Sequence, residues 1–215
     1  MIRGLILGAG LLALAACHRG GHSSEYHADW VIRSRVVFLS ADLAHLRPEP
    51  PRGSFRLWFP YVIGDLYGAP GTGDFVAASV HPDLTFAIDL NRSRSDLERS
   101  LEPTAFDMSY LKIVPAQARI ARLAPAALQA NGIDRIGTAE WVDLDARVEL
   151  MLVYADRPAW ITGHTIARGT PVRYDVRFPA AGYVWVRIRS SPEEGISYST
   201  VPRPAHLALA VTDAK

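Results

Sequence analysis

Trp141-Val142-Asp143-Leu144-Asp145-Ala146-Arg147-Val148-Glu149-Leu150-Met151-Leu152-Val153-Tyr154 is the stretch on which the fold reading turns. Its first ten residues alternate between apolar and charged, with Trp141 among the latter, which is the two-residue period of a half-buried strand. That pattern predicts one long strand over residues 141–154. Val142, Leu144, Ala146, Val148 and Leu150 would face a core, and Trp141, Asp143, Asp145, Arg147 and Glu149 would face solvent or a partner.

The same period recurs on both sides. Strands are predicted over residues 30–40, 53–63, 75–80, 84–90, 159–167, 171–178, 182–189 and 206–212, and residues 111–123 alternate imperfectly around Pro115. Phe55, Leu57, Phe59, Tyr61 and Ile63 share one face of their strand, and Pro60 within it argues for a sheet edge or a bulge. His81-Pro82-Asp83 reads as a hairpin turn, and residues 64–73, rich in Gly, as a loop. Helical signals are few. Ser95-Asp96-Leu97-Glu98 has capping-box spacing ahead of Pro103, and Pro125 followed by Gly132 brackets a short helix. A single helical turn fits residues 40–46, before Pro48, Pro50 and Pro51. The expected fold is mainly β, a sandwich or barrel of antiparallel sheets with one or two short helices. Ala180-Ala181-Gly182-Tyr183 is similar to the tyrosine corner of immunoglobulin-like sandwiches.

The N-terminus follows another logic. Arg3 precedes an uncharged apolar run, and Ala15 and Ala16 precede Cys17. This is the layout of a secretory signal, and the run is shorter than the roughly 20 apolar residues that cross a bilayer as a helix. Leu14-Ala15-Ala16-Cys17 resembles the lipobox of bacterial lipoproteins. The resemblance covers only the first 17 residues. It implies a diacylglyceryl group (palmitate-type chains) on the Cys17 thiol, cleavage before Cys17, and a mature protein anchored by lipid in the bacterial cell envelope. Two or three acyl chains give stable anchoring where one is marginal. In enterobacteria an Asp after the lipidated Cys tends to retain a lipoprotein at the inner membrane; this chain has His18 there, so the resemblance favours the outer membrane facing the periplasm.

The expected organisation is a signal peptide over residues 1–16, a lipidated Cys and flexible tether over 17–29, and one β-rich domain over 30–215. If that domain divides into two, the split is expected near residues 125–139. The tether, His18-Arg19-Gly20-Gly21-His22-Ser23-Ser24-Glu25-Tyr26-His27-Ala28, is rich in Gly, Ser and His, and the spacing of His18, His22 and His27 fits no dedicated metal site. Cys17 is the only cysteine, so internal disulfides and thiol catalysis are both excluded once it carries lipid. The full chain has 23 Lys+Arg against 22 Asp+Glu, and loss of Arg3 with the signal leaves the mature chain formally neutral. That balance does not ask for nucleic acid or an anionic membrane as partner.

Signatures of catalysis or cofactor binding are absent: no Gly-x-Ser-x-Gly, His-Glu-x-x-His, Cys-x-x-Cys or phosphate-loop motif. No cofactor and no metal are expected. Gly68-Ala69-Pro70-Gly71-Thr72-Gly73 lacks the Lys that a phosphate loop needs. The candidate contact residues come from aromatic and Arg interleaving, the residue types enriched at binding hot spots. Tyr183, Trp185, Arg187 and Arg189 alternate with Val184, Val186 and Ile188, and Arg56 and Trp58 alternate with Phe55, Leu57 and Phe59. The function expected is therefore a lipid-anchored binding protein that contacts another protein or an envelope polymer, for example as an immunity-type or accessory lipoprotein. The alternative is a hydrolase acting on the envelope, built from His164 and the strand carboxylates Asp143, Asp145 and Glu149.

Overall fold

The computed structural model describes residues 30–38, 54–63, 75–101, 111–130, 134–167 and 169–211. Cys17, the signal and the tether, the turn at 40–46 and the loop at 64–73 lie outside the described residues. In chain order the elements are β1 (Val31–Phe38), β2 (Phe55–Ile63), β3 (Phe75–Val80), β4 (Thr85–Asp89), α1 (Leu90–Ser100), β5 (Leu111–Val114), β6 (Ile120–Leu123) and β7 (Ala126–Ala130). They continue as β8 (Asp134–Asp143), β9 (Val148–Ala155), β10 (Ala159–Ala167), β11 (Thr170–Phe178), β12 (Gly182–Ser191), β13 (Gly195–Val201) and β14 (Leu207–Val211). The mainly-β, sandwich- or barrel-like expectation holds.

The strands form one mixed sheet in the order β4-β1-β14-β8-β7-β2-β6-β9-β12-β13-β11-β10-β5, with β3 paired to β2 and a further pairing of β8 with β9. Two pairings are parallel, β1 with β14 and β11 with β13, so the sheet is not purely antiparallel. The first of these ties the two ends of the described chain together, helped by the Ser34 hydroxyl donating to the Leu207 carbonyl at 2.8 Å.

Residues 141–154 are a hairpin and not one strand. The Asp143 carboxylate accepts the backbone N–H groups of Asp145 and Ala146 at 3.0 and 3.1 Å, and Arg147 takes φ 52°. An Asp that folds back on its own backbone offers the chain a turn in place of extension. Trp141 then pairs with Leu150, and Val142 with Glu149. The turn changes the faces: Trp141, expected outside, is 2% exposed in the core beside Leu150.

Other boundaries moved for local reasons. The helix starts at Leu90, five residues before the expected capping box, because the Asp89 side chain caps it by accepting from Asn91 N at 3.1 Å. Buried Leu90 and Leu97 hold it to the sheet. The helix expected after Pro125 is strand β7, enclosed by ladders to β2 and β8. Strand β2 is not an edge strand. It pairs with β3 on one flank and with β7 then β6 on the other, and Pro60 falls at the changeover, outside both of those last two ladders. The turn at residues 81–83 forms, with Leu84 N donating to His81 O at 2.8 Å, but β3 and β4 find their ladders on β2 and β1. Tyr183 is no tyrosine corner, since its hydroxyl meets that of Tyr61 at 2.7 Å.

Two cores result. The larger holds Phe55, Leu57, Phe59, Trp141, Leu150, Leu152, Tyr154, Tyr183 and Trp185. The smaller holds Ile120, Met151, Val153, Ile161, Val172, Val176, Val184 and Val186. Strands β9 and β12 send alternate residues into each, so the two cores share a wall. Neither core is made by the chain on one side of residues 125–139 alone. Aromatic rings fill the first: Trp141 lies 5.7 Å from Phe59, stacked, and 5.3 Å from Trp185, edge to face. Truncating a large aromatic here removes both transfer free energy and packing. Trp185→Ala is expected to lose about 3–5 kcal/mol in urea unfolding. Trp160→Ala, at a ring that is 40% exposed, should lose well under half of that.

Candidate interaction face

The expected contact residues separate into two groups. Arg56 is exposed and Trp58 half-buried on the side of β2 that faces away from the first core. Tyr183 and Trp185 point into that core, at 3% and 7% exposure. They are therefore not on an open face, contrary to expectation: Trp30, Tyr154 and Trp141 cover them, with Trp30 and Tyr154 each 5.0 Å from the Tyr183 ring. Burial and the hydrogen bond to Tyr61 both hold the Tyr183 phenol in its neutral form.

Arg187 and Arg189 behave differently. They lie on the same face of β12 as Trp185, but beyond the edge of the first core. Arg187 is half-buried, with Nε buried and without a hydrogen-bond partner, and Arg189 is exposed. From there the face runs outward in register. Arg187 pairs with Ser199, and Ser199 with Asp175; Arg189 pairs with Ser197, and Ser197 with Arg173. Next come Asp175 with Thr162 and Arg173 with His164, and finally Thr162 with Lys112 and Trp160 with Val114. Paired residues project from the same side of a sheet. One continuous outer face thus carries Arg187, Arg189, Arg173, Arg177, Lys112, His164, Trp160, Ile166 and Val114.

Two properties mark this face. The large hydrophobics exposed among the described residues are Val114 at 54%, Trp160 at 40% and Ile166 at 72%, and all three lie on it, along β5 and β10. Its charge is also unbalanced. Lys112, Arg173, Arg177, Arg187 and Arg189 are set against Asp175, the one acid at these register positions. Asp175 is already engaged: it accepts from Trp160 Nε1 at 2.8 Å and from Arg177 Nε at 3.0 Å. The Arg177 bond, ahead of a smaller opposing desolvation and the Trp160 bond, holds the Asp175 carboxyl below its ordinary value. The Arg177 guanidinium lies 5.0 Å over the Trp160 ring, a cation–π contact. The indole is thereby fixed in place by Asp175 and Arg177. A cavity of about 760 Å³ is lined by His164, Arg173, Asp175, Ser197 and Ser199 among others.

The carboxylates that the hydrolase alternative joined to His164, Asp143, Asp145 and Glu149, are not brought to it; the acid that shares its cavity is Asp175. His164 projects from the outer face, opposite Arg173. Asp143 and Asp145 belong to the β8–β9 turn, where Asp143 holds the turn and Asp145 meets His206 Nδ1 at 2.8 Å. Glu149 points to the side of the second core, opposite in the sheet to His164. It lines a recess of about 40 Å³ with Glu140, Arg122 and Ile188. Among the described residues no group of His, Cys, Asp and Glu is placed to hold a metal ion. The chain matches no protein-family model, no curated protein and no solved structure.

Glu149 nonetheless has a measurable consequence. Burial, and then the neighbouring Glu140 carboxylate, push its carboxyl from 4.5 up to about 7, with Arg122 opposing. A carboxyl whose folded-state value is raised favours the folded state fully below about 4.5 and loses that contribution as pH climbs through about 7. Glu149→Gln removes the ionisation. The variant should gain stability relative to the parent between pH 5 and pH 8, by about 1 kcal/mol after allowing for solvent screening, read as a widening difference in Tm.

Proposed function

We propose that this protein is a non-enzymatic binding module, held at a bacterial membrane through lipid on Cys17, whose outer β12–β13–β11–β10–β5 face contacts an anionic protein or envelope polymer. The observation that carries the reading is the coincidence on one sheet face of the exposed Val114, Trp160 and Ile166 with Arg173, Arg187 and Arg189, which have no acid partner among the described residues. Trp and Arg dominate binding hot spots because they combine large apolar area with directional donors. Arg173, Arg187 and Arg189 form no ion pair among the described residues, so an acidic partner neutralises them without displacing an existing bond. The lipobox resemblance supplies the address, with the outer membrane facing the periplasm as the favoured side. The tether from Cys17 to Trp30 spans at most about 45 Å, which keeps the face close to the membrane. The contact site thus retains Arg187 and Arg189 from the sequence reading and adds Trp160, Arg173 and Arg177, while Arg56 and Trp58 lie on a separate surface.

A photo-crosslinking residue placed at Arg173 in cells should give a discrete adduct, and one at Ala77 on β3 should not. Trp160→Ala together with Arg177→Ala should weaken that adduct at least tenfold, with Cys17 acylated in the mature protein by mass spectrometry. Equal adducts at both positions would remove the face assignment, and an unmodified Cys17 would remove the anchor.

A further inference from the structure

We infer that the protein carries a second binding site, independent of the β10–β11 face, in a groove over β4, β1 and β14 that takes a phosphate-bearing anion. The groove is a cavity of about 620 Å³ lined by Arg33, Arg35, His81, Phe86, His206 and neighbouring residues. Its volume lies in the range of small-ligand sites, and its concavity suits a small group better than a flat protein surface.

The cations are placed by strand geometry. Ile32 and Val36 on β1 are buried, so Arg33 and Arg35 project from the opposite face, and both are exposed. Two residues along a strand separates their Cα atoms by about 6.6 Å, a spacing from which two guanidinium groups can close on one tetrahedral anion. Across the ladder they meet Ala87 and Thr85. Ala87 is too small to fill the space over Arg33. The Thr85 hydroxyl is already turned to Asp83, to which it donates at 2.7 Å.

Histidines stand at the rims. His81 is in the β3–β4 turn, and His206 precedes β14 with Nδ1 held by Asp145 at 2.8 Å, which fixes the ring. Among the described residues no carboxylate lines the groove. The acids near it are engaged, Asp145 with His206 and Asp83 with Thr85. Neither Arg33 nor Arg35 forms an ion pair among the described residues.

Guanidinium and imidazole donors converging without an acid call for an anion with several acceptor oxygens. A phosphate monoester offers three, in a geometry that Arg grips from two sides, whereas a lone carboxylate offers two in one plane. The same chemistry is presented by a free phosphate monoester and by a lipid headgroup that ends in one. The headgroup is the nearer source if lipid on Cys17 holds the domain at a membrane, because β1 starts immediately after the tether.

The test is titration calorimetry on the purified, fully processed protein at low salt. Two probes are used: inorganic phosphate and a water-soluble short-chain phosphatidic acid. Phosphate should bind, more weakly as salt rises, and the Arg33→Gln/Arg35→Gln double variant should lose at least about tenfold in affinity. Arg35→Gln alone should lose part of this, and Arg92→Gln, on the exposed surface of α1, should lose nothing. Unchanged Tm in the β1 variants separates lost binding from lost fold. Tighter binding of phosphatidic acid than of phosphate assigns the site to a headgroup, and equal binding assigns it to a soluble ester. The inference is overturned if neither probe binds, or if the double variant binds as the parent does.

Discussion

Strands β9 and β12 are apolar on both faces, and the arrangement of the molecule follows from covering each. Leu150, Leu152 and Tyr154 of β9 join Tyr183 and Trp185 of β12 on one side; Met151, Val153 and Ala155 join Val184 and Val186 on the other. A strand of this kind cannot lie on the surface, since either face in water would cost the burial of several large side chains. The sheet therefore continues from both edges of the wall and curls to opposite sides. One arm closes over the first core with β1, β2, β8, β14 and α1, and the other closes over the second with β13, β11, β10 and β5. Helix α1 is fastened to this wall by Tyr154, whose hydroxyl donates to Glu98, while Arg94 donates to the same carboxylate at 2.8 Å. Those two bonds hold Glu98 below its ordinary value, against the cost of its partial burial.

The same wall explains where the candidate contact face comes from. The side of β12 that is core at Tyr183 and Trp185 passes out of the first core at Arg187. It then continues over β13, β11 and β10 with no layer against it among the described residues. A sheet face continuous with a core is well ordered by the packing behind it, here Ile161, Val172 and Val176. Side chains on it are therefore held in place by the sheet, which is what the proposed recognition requires. Trp160 extends this order into its own side chain through Asp175 and Arg177. The near balance of the full sequence, 23 Lys+Arg against 22 Asp+Glu, conceals the face, because acids elsewhere offset its cations in the sum.

The β class was legible because most strands are half-buried and so alternate. Where reading failed, the missing information was tertiary or lay in a competing local signal. The run from Leu150 to Ala155 breaks the alternation that precedes it, which is the mark of a strand buried twice over; read as the end of a half-buried strand, it hid the second core. Asp143, two residues before Asp145, carried the turn signal, but Leu144 and Ala146 kept the alternation in step across it. Strand β13 went unread because Ser197, Ser199 and Thr200 look like loop, and its parallel partner β11 is distant in pairing logic although near in sequence. On the proposed contact face, Arg187 and Arg189 are the residues that interleaving picks out of the sequence. Trp160 was not, because nothing local distinguishes an aromatic that meets another sheet from one that meets water. Trp185 has the denser aromatic and Arg surroundings and is the one that is covered.

Hydrogen–deuterium exchange tests the contact-face account most directly, with the protein measured in isolated envelopes and again after purification in detergent. The account predicts slower exchange in envelopes across residues 112–114 and 159–177, with the shared wall strands equally slow in both states. Unchanged exchange over 159–177, with protection appearing instead over β2 and β3, would contradict it and move the contact to the surface that carries Arg56 and Trp58.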